Sequence, residues 1–450
     1  MKLKTAAAAL CAAMMILNTC GCSINLSKED MLRPPKTMGD EAEIEQLISN
    51  SAPNGYTLKY PKSGTNRSAI TMHDIDDDNT DEAIAFFRDK GGSTGVRMLV
   101  MFEENGVWKI SGDYLTETTD VDCIFFADIN ASGSQEILVG YTTYTAGVNF
   151  LSVYTYSDGV TDTIDAGQNY SAFYCGVIDS SGKSSVMTLS LYTHENDAKA
   201  TLLEYDDKNR SLNPKASVAM DPNVTSYRSA AFSELSESVK GLVVDGVLSN
   251  GDLNTQIIYY NKELNALRNP LYNEKTANQT QRSSDVISTD IDNDMKYEIP
   301  TVTELPFDKK NENMKVAPQV MWNKFSAQKE QLLPAQRTAA NFSYNYIIKI
   351  PETWQAESFT ALLNKGGTIM SFREWKSNAE GKKLFDIMMF KAADWEQGKS
   401  NEKYTLIYKD NRYAYTFYNY EPESSLALSD DAIKTAFSLL SGSKQTGNNN

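Results

Sequence analysis

Residues 72–87 read MHDIDDDNTDEAIAFF, six acidic side chains that run straight into an apolar segment. A related stretch, STDIDNDMKYEIPTV, stands at 288–302. Aligned on the first acid, five segments share one phase: DIDDDNTDEAI from Asp74, DINASGSQEIL from Asp128, VIDSSGKSSVM from Val177, SELSESVKGLV from Ser233 and DIDNDMKYEIP from Asp290. Their offsets are 54, 49, 56 and 57 residues. A period near fifty marks stacked supersecondary units. The segments around each loop share one grammar. An apolar strand such as SAITMH or CIFFA leads into the polar loop, EAIAFF or EILVGY follows, and VRMLVMFE or FLSVYTY and then VWKISGDYL come after. Four short strands per unit describe one blade of a propeller, so the sequence predicts a mainly β fold with about five four-stranded blades over 56–340.

The repeats resemble FG-GAP or VCBS-type β-propeller repeats, over roughly residues 60 to 350. In that family the acidic loop between the first two strands of a blade binds calcium. The resemblance implies a site at positions one, three, five and nine of the loop. In the first copy these are Asp74, Asp76, Asp78 and Glu82, and in the last Asp290, Asp292, Asp294 and Glu298. Alternating oxygens closed by a ligand at the start of the next strand suit a hard cation, and calcium accepts such shells more readily than magnesium. The second copy, with Asp128, Asn130, Ser132 and Glu136, is a weaker set. The third and fourth have lost most of their carboxylates. Asn79 and Met295 replace the family's glycine at position six, and Met tolerates a left-handed backbone poorly. The competing reading is an Asx turn whose carboxylates only cap backbone amides. Strands rather than helices flank the loops, which excludes an EF-hand.

The N-terminus addresses the compartment. Lys2 and Lys4, the apolar run TAAAALCAAMMIL and the small residues of NTCGCS compose a signal peptide over 1–21. Gly21-Cys22-Ser23 resembles the lipobox of bacterial lipoproteins, which implies diacylation of Cys22 and a cell-envelope location on the extracytoplasmic face of a membrane. Loss of Lys2 and Lys4 takes the net charge from −16 to −18, a surface that repels nucleic acid and anionic headgroups. Cys123 and Cys175 leave two options open, a disulfide or two buried free thiols. His73 and His194 are the only histidines, too few for a His-rich zinc site.

Residues 22–40 read as a tether with a Pro-Pro break, and 41–53 as a short helix capped by Asp40 and Glu43, which must dock its Ile44, Leu47 and Ile48 stripe on something larger. From 341 to 441 the acidic loops stop. Strands, a hairpin turning at Asp410-Asn411 and a helix from Ser429 bearing Ile433, Ala436, Phe437 and Leu440 suggest a small α+β domain, followed by a disordered tail over 442–450. Trp354, Trp375, Trp395 and the tyrosines from Tyr404 to Tyr420 offer rings to a sugar, although at strand spacing such residues are more often core. No P-loop, Rossmann fingerprint, nucleophile elbow or Cys-His arrangement is present, so catalysis has no positive signal. The expectation is a calcium-stabilised binding or scaffold module for a protein or glycan. The alternatives are a carbohydrate-active or polyanion-cleaving enzyme, which needs a concave pocket holding other acids, and a structural adhesion protein.

Overall fold

The computed structural model describes residues 39–440 apart from 92–94, 146, 179–181, 237, 276–277, 309–313 and 399–402. The leader, Cys22, nearly all of the tether and the tail lie outside the described residues. What is described is mainly β, with sheets of five, eight, four, five and six strands.

The strands alternate which neighbour they face. In Glu82–Asp89, Ala83, Ala85 and Phe87 point to one side and Ile84 and Phe86 to the other, and all five are buried. That double burial explains a continuous apolar run where a half-exposed strand would alternate with polar residues. The first set packs on Ile44 and Ile48 of the helix Asp40–Ser51, the second on Ile124, Ile137, Val139 and Tyr141 of the next sheet. The pattern continues along the chain. Leu138, Leu151 and Val153 meet Phe173, Val186 and Leu203. Met187, Leu189 and Leu202 meet Leu242, Val244 and Ile258, and Val243 and Ile257 meet Ile299 and Phe325. Finally Ala339, Tyr346 and Ile348 meet Phe359, Ala361 and Phe372.

Sheets therefore stack face to face in chain order. The eight-stranded sheet is two antiparallel meanders of four strands, joined through one parallel pairing of Ser211 with Asp165. None of the buried clusters formed by described residues joins the last sheet to the first, and the stack forms no clean closed ring. Two-residue turns with both residues left-handed, Asn105-Gly106 and Asp158-Gly159, close hairpins at the same end of the strands as the acidic loops.

Four details differ from the sequence expectation. The helix begins one residue early, on Gly39 at φ 84°, with no side-chain cap, so Asp40 is its first residue and not its N-cap. Glu43 turns outward to accept from the Trp108 amide at 3.4 Å, and the acids of the first turn face the helix dipole instead. The chain does not divide at 341. Gln331–Asn341 and Tyr346–Lys349 are adjacent strands of one sheet, and a single buried cluster runs from Leu305 and Ala317 to Ile433. The C-terminal helix stops at Ala436, because Phe437–Leu439 satisfies its backbone by pairing with Tyr346–Ile348. The fourth repeat is a tight hairpin, in which Val224–Ser236 and Val239–Leu248 pair as far as Ser236 and Val239, with no open acidic loop.

Candidate metal centre

The loops repeat in register as well as in sequence. The residue before position one faces position nine in His73↔Glu82, Ala127↔Glu136, Gly176↔Ser185 and Thr289↔Glu298. Within the first loop Asp74 accepts from the amides of Asp78 and Asn79 at 3.1 and 2.9 Å, and Asp78 from Thr80 at 2.7 Å. Glu82 accepts from Ile75 at 2.9 Å. The second and fifth loops repeat these bonds at the same positions, with Asp128 and Asp290 in place of Asp74, and Glu136 and Glu298 in place of Glu82. Positions four and six are left-handed in all three: Asp77 and Asn79, Ala131 and Gly133, Asn293 and Met295. The carboxylates at positions one and nine thus hold the loop's shape. Position five holds the turn through one oxygen, and in the first loop position three adds an oxygen within 4.8 Å of those of positions one and five.

A second regularity ties the second, third and fifth loops each to the one before it. The position-eight amide of Gln135 donates to Ile75 O at 2.7 Å, that of Ser184 to Asp128 O at 2.8 Å, and that of Tyr297 to Ser233 Oγ at 2.9 Å. Sequence reading missed this ladder because the donor is a backbone amide, which has no residue signature.

In the first loop Asp74, Asp76 and Asp78 bring one oxygen each within 4.8 Å of one another. Asp76 Oδ1 is buried and accepts no hydrogen bond, an oxygen that a cation would satisfy. Burial, then repulsion from Asp78 and Asp74, raises the Asp76 carboxyl. Burial likewise pushes Glu82, itself 3% exposed, up to about 7. Among the described residues no Lys or Arg pairs with any of the four. Their donor set fits a hard oxygen-seeking cation, which would supply the missing positive charge.

The other two loops answer the same electrostatic demand differently. In the second, the Asn130 amide nitrogen donates to Glu136 Oε1 at 2.5 Å, so position three caps position nine from within. In the fifth, Asp290, Asp292 and Asp294 form a similar cluster, but Lys324 enters it. Burial pushes Glu136 and Glu298 up to about 7 in both.

Elsewhere, Cys123 and Cys175 are free thiols, and burial raises both, Cys175 to about 12. Neither has the low thiol pKa of a reactive cysteine. Trp354 is 2% exposed and packs edge-on against Phe372, which removes it from any sugar platform. Trp395 packs on Phe390, and Tyr404 on Tyr418. A cavity of about 480 Å³ is lined by Tyr192, Asp197, Lys199, Tyr272 and Glu274 among others, and holds none of the loop residues. No helix among the described residues is long and apolar enough to cross a membrane.

No protein-family model matches this chain, and no curated protein does. Among solved structures it is similar to a Bacillus licheniformis rhamnogalacturonan lyase (TM-score 0.30, 10% identity, 81% of this chain and 91% of that one). It is also similar to Sqt1 of Saccharomyces cerevisiae (TM-score 0.31, 7% identity, 81% and 97%) and to a protein from Lactobacillus plantarum (TM-score 0.29, 12% identity, 72% and 86%). Likeness at this level carries no argument about fold or function.

Proposed function

We propose that the chain is a lipid-anchored protein on the extracytoplasmic face of a bacterial membrane, whose stacked sheets are FG-GAP/VCBS-like propeller blades and serve as a calcium-stabilised binding or scaffold module. The observation that carries the calcium reading is the buried, unpartnered oxygen of Asp76 among carboxylates that no basic residue among the described residues neutralises. Asp74, Asp76, Asp78 and Glu82 would hold the ion, and the second loop is the weaker candidate. The loop-to-loop ladder makes such an ion structural, because a loop fixed in shape also fixes its neighbour. The anchor rests on the lipobox resemblance at Cys22, and the partner class, a protein or a glycan, on the absence of a catalytic motif.

A melting curve tests the calcium reading: calcium raises the melting temperature and a chelator lowers it, whereas coincident curves would reduce the loops to acidic turns. Cys22→Ala tests the anchor. The variant leaves the membrane fraction or persists as an uncleaved precursor, and unchanged fractionation with unchanged mass would end the lipoprotein reading.

The enzyme alternative keeps one supporting observation. Asp197 and Glu274 line the 480 Å³ cavity with Tyr192 and Tyr272, and they are acids outside the metal loops. Polysaccharide breakdown by the native chain that Glu274→Gln abolishes would favour it.

A further inference from the structure

The fifth loop carries the same four carboxylates as the first, yet the structure disagrees with calcium there. We propose that Lys324 is the resident cation of the fifth loop, so that this loop takes up no calcium while Lys324 is in place.

Register places the lysine. Ile299 pairs with Asn323, which sets Lys324 beside Glu298 at position nine. The same step past the pairing leads to Phe102 in the first unit, where Ala83 pairs with Met101, and to Thr155 in the second, where Ile137 pairs with Tyr154. Of these three equivalent positions only the fifth holds a cation. Its ammonium lies 2.9 Å from Asp292 Oδ2, 2.7 Å from Asp294 Oδ2 and 3.5 Å from Glu298 Oε1. These are positions three, five and nine, three of the four groups that would ligate a metal. The fourth, Asp290, is held by the amides of Asp294 and Met295. Lys296 adds a further ammonium 3.7 Å from Asp294.

An ammonium and a divalent ion cannot share that space. At contact distances they repel, and each oxygen that Lys324 occupies is lost to the metal. The lysine also competes at an advantage, being tethered to the adjacent strand at a high effective concentration that dilution does not change. Its charge is smaller than calcium's, but it needs no free ion. The fifth loop therefore has its carboxylates neutralised in a calcium-poor medium, where those of the first loop stay uncompensated.

This inference rests on the calcium reading only for its contrast between loops, and the experiment separates the two. Calcium uptake by the full chain is measured by equilibrium dialysis for the native protein, Asp76→Asn, Asp292→Asn, Lys324→Met and the double variant Lys324→Met/Asp292→Asn. The expected result is native uptake in Asp292→Asn, a loss of about one equivalent in Asp76→Asn, a gain of about one in Lys324→Met, and no gain in the double variant. Loss of an equivalent in Asp292→Asn would overturn the proposal on the native background, whether or not the lysine variant folds. Native uptake by a folded Lys324→Met would overturn it equally. A native chain that takes up no calcium ends the reading of the first loop, and the gain in Lys324→Met then stands as its own test.

Discussion

Replacing Asp76 by Asn should reverse the sign of its effect when calcium is added. Asp74, Asp76 and Asp78 hold oxygens no more than 4.8 Å apart. In a water-like medium each such pair repels by about 0.9 kcal/mol. Physiological salt, with a Debye length of about 8 Å, roughly halves that figure. The substitution would remove two pairs, so without metal the variant is more stable than the native chain by about 1 kcal/mol. With calcium a hundredfold above its dissociation constant, the native chain gains about 2.7 kcal/mol. If loss of one carboxylate weakens the ion about a hundredfold, the variant gains only about 0.4 kcal/mol. The native chain then leads by about 1.3 kcal/mol, the sum of these effects. Scanning calorimetry in calcium and in chelator would show the two melting temperatures exchange order. An acidic turn without metal also predicts the gain in chelator but no exchange, so equal calcium responses in the two proteins would refute the reasoning.

Arg282 and Asp245 form an ion pair that is almost wholly buried, with Thr255 and Ser288 also donating to the carboxylate. Arg282→Met strands that carboxylate and should cost about 3–5 kcal/mol in urea unfolding followed by tryptophan fluorescence, and a loss under about 1 kcal/mol would contradict it. Met295 sits at φ 67° with its side chain 77% exposed, so Met295→Gly should relieve strain without losing contacts and raise stability by about 0.5 kcal/mol, offset in part by glycine's entropy. A decrease in denaturation midpoint would count against that. The hydrogen bonds from Arg268 hold the Glu330 carboxyl below its usual value, so its contribution is present above the unfolded glutamate value and is lost as pH falls through the lower folded value. Both partners are about a third exposed, so Glu330→Gln should cost under about 1 kcal/mol at pH 7 and nothing near pH 2, and an equal loss at both would refute it.

The first loop was legible because its information is local. Position one, the alternation of acids and the closing glutamate lie within nine residues, and the hairpin register follows from them. The role of Lys324 was not. It stands 26 residues beyond Glu298, whereas the equivalent Phe102 is 20 beyond Glu82 and Thr155 is 19 beyond Glu136, so variable connections erase the phase. Only strand pairing restores it. The division expected at 341 failed for a related reason. The acidic loops end there, but strand pairing does not, and Tyr346–Lys349 continues the sheet that Gln331–Asn341 belongs to. In LNTQIIYYN, the buried Asn254, Thr255 and Gln256 look like a solvent-facing stretch by composition, since nothing nearby in sequence announces Asp221 and Asp245 as their partners. The helix start was missed because a glycine at positive φ leaves no side-chain signal.

The amides of Gln135, Ser184 and Tyr297 reach the preceding loop from one position, the eighth, and this limits what engineering the molecule will accept. Surface loops ordinarily tolerate insertions, but here one added residue between the first acid and the closing glutamate would move the donor past its acceptor and unfasten two sheets at once. Loop length at this end is effectively quantised. Affinity tags, epitopes or grafted peptides belong at the opposite ends of the strands, in turns such as Ser249–Asp252 between Leu248 and Leu253, where the backbone hands nothing on to a neighbour's acidic loop.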